Sequence, residues 1–200
     1  MTLLILPLME GVQSASEAHI SAYDYFSENG QLLLAFLLSF FIINQYWRVH
    51  EGLFQYVRKY SEAIRRLNAF FLLLIVFLPV NTASVNQLDN DDGAVFAHVL
   101  YVGNLLLITI TLLVMNLFVR KDPHMWSTQH TPPTSLGILI LSVGFIFLCV
   151  TMLVVCLVPN PNVLYMLFLL GLVNPLVRFL EGRYDLVQSF GNLVDRLIGI

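Results

Sequence analysis

Five stretches of about 20 consecutive, mostly apolar residues dominate this chain, and each is long enough to cross a bilayer as a helix. They run at about 30–47, 67–85, 94–119, 135–158 and 163–180. A soluble fold of 200 residues could not hide them. Hydrophobic residues make up 58% and charged residues 12%, where soluble domains carry roughly 25% charged. A soluble enzyme, a disordered tail and a nucleic-acid binder with a basic face are therefore excluded. The net charge of −3 also argues against phosphate-rich partners.

Punctuation between the stretches supports helices. Pro159-Asn160-Pro161-Asn162 separates the last two with two helix breakers. Pro79, late in the second stretch, predicts a kink or an early end there. Met1–Leu8 is apolar but would reach only about 12 Å at roughly 1.5 Å per residue. It has no basic start and so does not read as a signal peptide. The expectation is the outer half of a span whose inner half is absent, through a misplaced start or a truncation. The fold class is then all-α: a polytopic membrane helical bundle of five complete spans plus that half span. Residues 1–200 form a single transmembrane domain.

Charge fixes an orientation. The ten basic residues are Arg48, Arg58, Lys59, Arg65, Arg66, Arg120, Lys121, Arg178, Arg183 and Arg196. With alternating spans all fall on one side. The opposite side carries Glu10, Glu17, Asp24, Glu28, Asp89, Asp91 and Asp92 and no Lys or Arg. The positive-inside rule makes the basic side, and the C-terminus, cytoplasmic. Arg48–Arg66 reads as a cytoplasmic continuation of two helices, with Val49, Leu53, Phe54 and Val57 at helical spacing. Glu62 and Arg66 form a favourable i,i+4 pair. The tail 181–200 is amphipathic, with Leu186, Phe190, Leu193, Val194 and Leu197 on one side. That pattern suits the inner membrane face or a neighbouring helix.

Enzyme motifs are missing: no phosphate loop, no zinc-protease helix and no nucleophile elbow. The expectation is no enzyme, no cofactor and no metal. Cys149 and Cys156, seven apart, read as two small buried thiols on one helical face. No acid lies inside a full span, which weakens a proton-coupled transporter. Polar residues do cluster near one end of the first two spans. Trp47 and His50 share a helix face, Asn44 and Ser39 lie farther up that helix, and Asn68 begins the next span at the same depth. One reading is a belt tryptophan with a water-exposed histidine. The other is a hydrogen-bonded knot that fixes a neighbouring helix.

Ser39-Phe40, Trp47-Arg48-Val49-His50 and Leu53-Phe54 resemble the second helix of the transmembrane protein 175 family. That family comprises the potassium channels of lysosomes and their short, six-span bacterial relatives. Its next helix is similar to Leu67-Asn68-Ala69-Phe70-Phe71-Leu72, with Phe77-Leu78-Pro79 and Thr82. Met1–Leu6 is similar to the end of the family's first helix. The inner half of that helix, with its Phe-Ser-Asp signature, has no counterpart here, and Phe26-Ser27-Glu28 lies on the wrong side to supply it.

The resemblance implies a channel-type domain and a homotetramer in membrane lipid. The first helix of each subunit would line the pore, potassium would be the permeant ion, and no nucleic acid would take part. Leu3 and Leu6 match pore-facing aliphatic positions, and Thr2 matches a polar position beside them. Ser39, Trp47, His50 and Asn68 match a helix-positioning network. The host implied is a bacterial cell membrane. The alternatives are a small multipass transporter, which should show paired broken helices, and a non-conducting membrane scaffold, which should lack the Trp-x-x-His knot.

Overall fold

A computed structural model describes residues 12–13, 21, 23, 30–55, 57–87, 91–122, 135–157, 192–193 and 196. Among them the ordered elements are four helices: α1 (Gly30–Phe54), α2 (Glu62–Gln87), α3 (Asp91–Lys121) and α4 (Ser135–Leu157). They cover the apolar stretches expected at 30–47, 67–85 and 94–119, and the one expected at 135–158 as far as Leu157. The stretches at 1–8 and 163–180, and nearly all of the tail, lie outside the described residues.

The junction of α1 and α2 shows how local chemistry sets the element ends. Both apolar stretches extend beyond their hydrophobic parts, α1 to Phe54 and α2 back to Glu62. The segment Arg48–Arg66 is thus largely helical, as its spacing suggests, but it breaks between the two helices. Ser61 caps α2: its Oγ accepts from the Ile64 amide at 3.3 Å, and its carbonyl accepts from the Arg65 amide at 3.1 Å. Glu62 adds a negative charge where the helix dipole favours it. Its carboxylate also pairs with Arg65 at 3.3 Å and Arg66 at 3.2 Å. Val49, Leu53, Phe54 and Val57, expected to share a face, all join the apolar core or pack against it.

α3 is the central helix. It packs along much of its length against α2 and α4, while α1 lies more sparsely on the other three. Its buried residues Tyr101, Val102, Leu105, Ile108, Leu112, Met115 and Val119 recur at helical spacing. Ile42, Tyr46, Leu53, Ile64, Phe71, Leu74 and Leu78 meet that stripe from α1 and α2, and Leu141 and Leu148 from α4.

The surface reverses the pattern of a soluble bundle. Phe70, Leu73, Phe77 and Val80 of α2 are exposed, as are Phe96, Leu100, Leu107, Ile110 and Phe118 of α3 and Ile146, Val150 and Leu153 of α4. Ser39, Asn104, Thr109, Thr111, Asn116, Arg120 and Thr151 are buried. Water would penalise those apolar stripes, whereas lipid accepts them and drives polar groups inward to find partners. Glu62–Thr82 and Gly93–Lys121, 21 and 29 residues long, have the length and composition to cross a membrane. Ile138–Val154 is a shorter apolar segment of the same kind. The chain is an integral membrane protein.

Two local expectations are corrected. α2 does not end early at Pro79 but continues to Gln87. The proline removes one backbone donor, and side chains crowd the carbonyls around it. Thr82 Oγ1 donates to the Leu78 carbonyl at 2.9 Å, and Asn104 Nδ2 of α3 donates to the Leu74 carbonyl at 3.0 Å. The carbonyl that Pro79 leaves without its helical donor is that of Ile75, and these bonds fall on other carbonyls; the packing of α2 along α3 accompanies the helix through the proline. Cys149 is not buried: it is exposed, as a free thiol, beside Ile146, Val150 and Leu153 on the outer face of α4. An apolar run inside a membrane does not mark which of its faces turns inward, so a small apolar side chain there can equally face lipid. The Cys156 side chain lies outside the described ones.

Candidate functional site

The short 55–61 connection turns the chain so that the last turns of α1 stand beside the first turns of α2. On α1, Trp47, His50 and Phe54 are spaced to share a face, and on α2 Asn68 and Phe71 are one turn apart. The two faces meet around the imidazole. His50 Nε2–H donates to Asn68 Oδ1 at 2.7 Å. Phe71, fully buried, stacks on the imidazole with ring centres 4.8 Å apart and planes 8° from parallel. Phe54 lies against it at 4.5 Å and 36°, and Trp47 at 5.5 Å and 25°. Tyr60 extends the series by stacking on Phe54 at 5.7 Å.

This setting suits a neutral imidazole. Removal from water disfavours the imidazolium and pulls the His50 pKa below the ordinary value, and the bond to Asn68 opposes that shift in part. A neutral imidazole with Nε2 donating can hold α2 in place beside α1. No carboxylate faces it to make a proton relay among the described residues. Of the two readings of Trp47 and His50, the structure has features of both. Trp47 keeps 45% of its surface exposed, as a belt residue would, while His50 is half-buried and hydrogen-bonded across helices.

Ser39 belongs to a different group. It is buried in the middle of the helices, where its Oγ shares hydrogen bonds with Thr82 Oγ1 at 3.0 Å and the Tyr101 hydroxyl at 3.2 Å. Close by in the chain, the Tyr46 hydroxyl bonds Thr109 Oγ1 at 2.7 Å and donates to the Leu105 carbonyl at 3.3 Å. Asn104 ties α3 to α2 through the Leu74 carbonyl. Sequence reasoning missed Tyr46, Tyr101, Asn104 and Thr109 as interhelical partners, as well as Phe54 and Phe71 as walls of the imidazole site. Their signal was present as polar residues on the inner stripe of an apolar run, but their pairing was not.

Leu3, Leu6 and Thr2 lie outside the described residues. Among the described residues, no group of three or more His, Cys, Asp or Glu side chains could hold a metal ion. His98 Nδ1–H donates to the Ala94 carbonyl of its own helix at 2.6 Å.

Residues 1–79 match the family model of the endosomal/lysosomal potassium channel TMEM175. The matched segment contains Ser39, Trp47, His50, Asn68 and Phe71 and stops within α2 at Pro79. α3 and α4 lie beyond it. No curated protein matches the chain.

Proposed function

We propose that this chain forms a potassium-permeable cation channel. The observation that carries the reading is the match of residues 1–79 to a potassium channel family. In this reading five full spans follow a first helix, the basic side and the C-terminus are cytoplasmic, and four copies surround a central pore. Leu3 and Leu6 are i,i+3 neighbours and share a helical face. In the tetramer they form aliphatic constrictions beside Thr2, which gate by dewetting rather than by binding the ion through backbone carbonyls. Trp47, His50 and Asn68 at one level, and Ser39 through Thr82 at another, are positioning devices: they hold α1 and α2 together and, through them, the pore helix. The permeant ion is the only small ligand the function needs, and the partners are other copies of the chain and membrane lipid.

The test is ion flux in liposomes containing the purified chain. Potassium flux exceeding sodium flux is expected, with Leu3→Asn and Leu6→Asn raising the sodium leak. A folded, membrane-inserted protein that passes neither ion overturns the channel reading. Flux that both substitutions leave unchanged overturns the assignment of the pore. Orientation is checked separately with Lys59→Cys in sealed cells: labelling by an impermeant external reagent would reverse it.

A further inference from the structure

The described residues between Trp47 and Arg66 hold a second feature, which extends the imidazole site outward through Trp47 and Tyr60. Trp47, His50, Phe54 and Tyr60 form a continuous series of rings, each centre within 5.7 Å of the next. The two ends of the series are open to the surroundings, Trp47 at 45% and Tyr60 at 57% exposure. Exposed cations flank both ends: Arg48 follows Trp47, and Arg58 and Lys59 precede Tyr60. The nearby carboxylate of Glu62 is committed to Arg65 and Arg66. Among the described residues no acid pairs with Arg48, Arg58 or Lys59. The series starts at the end of the apolar part of α1 and reaches into the connection, so it spans the depth at which lipid headgroups lie.

We propose that this surface is a binding site for the headgroup of an anionic phospholipid. Trp47 and Tyr60 would sit at the level of the glycerol and headgroup region, where amphipathic rings are favoured. Arg58 and Lys59, beside Tyr60, would hold the phosphate, and Arg48 would add positive charge at the other end of the ring series. Basic residues at the cytoplasmic face draw anionic lipid in this way. A lipid is favoured over a soluble anion because the aromatic ends offer apolar surface, which a free phosphate cannot use. Because Tyr60 rests on Phe54 and Phe54 on His50, an occupied site braces the same turns that the imidazole holds. The inference rests on the membrane placement of the chain and not on ion conduction.

The intact protein in nanodiscs of phosphatidylcholine, with and without phosphatidylglycerol, provides the test. Retained lipid is counted by native mass spectrometry and unfolding is followed by heat. Phosphatidylglycerol should be retained preferentially and should raise the unfolding temperature. Both effects should weaken as salt is added, since exposed charges are screened. Arg58→Gln and Lys59→Gln alter exposed side chains in the connection, and each should lower the preference about fivefold. Lys121→Gln, at the end of α3, should leave it unchanged. An equal loss in Lys121→Gln would reduce the effect to overall charge and overturn the site. Equal protection of the detergent-solubilised protein by inorganic phosphate would overturn the lipid as its ligand. Nanodisc-inserted protein that treats the two lipids alike, at any salt, refutes this inference while leaving the channel reading intact. Failure to enter bilayers at all would refute both.

Discussion

At its last turns α1 meets α2 through rings, whereas in the preceding turns it meets α3, and α2 through Thr82, by way of hydroxyl groups. The first contact gathers Trp47, Phe54 and Phe71 around one imidazole with a single cross-helix hydrogen bond to Asn68. The second spreads over Ser39, Tyr46, Tyr101 and Thr109, joined by hydroxyl hydrogen bonds of 2.7 Å and 3.2 Å, with Thr82 at 3.0 Å from Ser39. The contrast follows from where each contact lies. Near the membrane edge water competes for polar groups, so packing of large rings must carry the contact. On the buried face of α1, which holds Ser39 and Tyr46, no water competes, and a hydroxyl that reaches across to a neighbour satisfies both partners. The hydroxyls also retain local alternatives: Thr109 bonds the Leu105 carbonyl of its own turn at 2.8 Å, and Thr82 bonds that of Leu78. Loss of one cross-helix bond there therefore strands no group. The ring site has no such reserve.

Substitutions can break this comparison. The largest effect is expected from Phe71→Ala, which empties a fully buried position and removes the flattest stack on the imidazole. It should cost about 3–5 kcal/mol, measured as thermal or denaturant unfolding in detergent. A loss no larger than that of an exposed substitution on the same helix, such as Phe70→Ala, would show that the rings do not carry the contact. His50→Ala should follow, at about 1–3 kcal/mol for a partly buried hydrogen bond whose acceptor is left behind. It should loosen α1 from α2 and weaken assembly without abolishing any catalytic step. Wild-type stability and oligomer size in the purified variant would refute the positioning role.

The same residue gives a pH signature. Its folded pKa is depressed by burial, so the unfolded chain binds the proton more readily. Stability from this group is fully present above the unfolded value of about 6.5 and declines as pH falls below it, toward the lower folded value. His50→Gln should flatten that acid decline, visible as a smaller drop in unfolding temperature on acidification. Tyr46→Phe should cost less, about 0.6 kcal/mol, the average measured for cross-helix hydrogen bonds in a membrane protein. A loss as large as that of Phe71→Ala would invert the comparison and make the hydroxyls the stronger joint. Smallest of all is Glu62→Gln, which removes two exposed ion pairs and should change stability by only a few tenths of a kcal/mol.

The ring site was the more legible of the two in sequence. Trp47 and His50 lie one turn apart, Asn68 follows across a short connection, and antiparallel neighbours bring such positions to one depth. Phe71 escaped notice because it stands in a run of apolar residues, where nothing in the letters separates a wall of the site from a lipid-facing side chain such as Phe70. The hydroxyl contacts were harder still. Ser39 shares a helix with His50 and so reads as part of the same cluster, yet its partners lie at Thr82 and Tyr101, far along the chain. Helical periodicity predicts which residues share a face but not which face meets which neighbour. Pro79 is a stop signal taken by itself, yet α2 continues through it to Gln87: a local breaker carries no information about the helix that packs alongside its element.

The direction of those partnerships bears on how the protein is made. Three cross-helix polar bonds of α3 point back to residues synthesised earlier: Tyr101 to Ser39, Asn104 to Leu74, Thr109 to Tyr46. When α3 leaves the ribosome, the acceptors and hydroxyls it needs are already present in the two preceding helices. A segment carrying two buried asparagines, several hydroxyls and a buried Arg120 would enter lipid alone only at a cost. Beside a finished α1–α2 hairpin it finds its partners on arrival. Membrane insertion of α3 thus depends on the hairpin that precedes it, and damage to that hairpin should appear first as failed biogenesis of a helix that was never mutated.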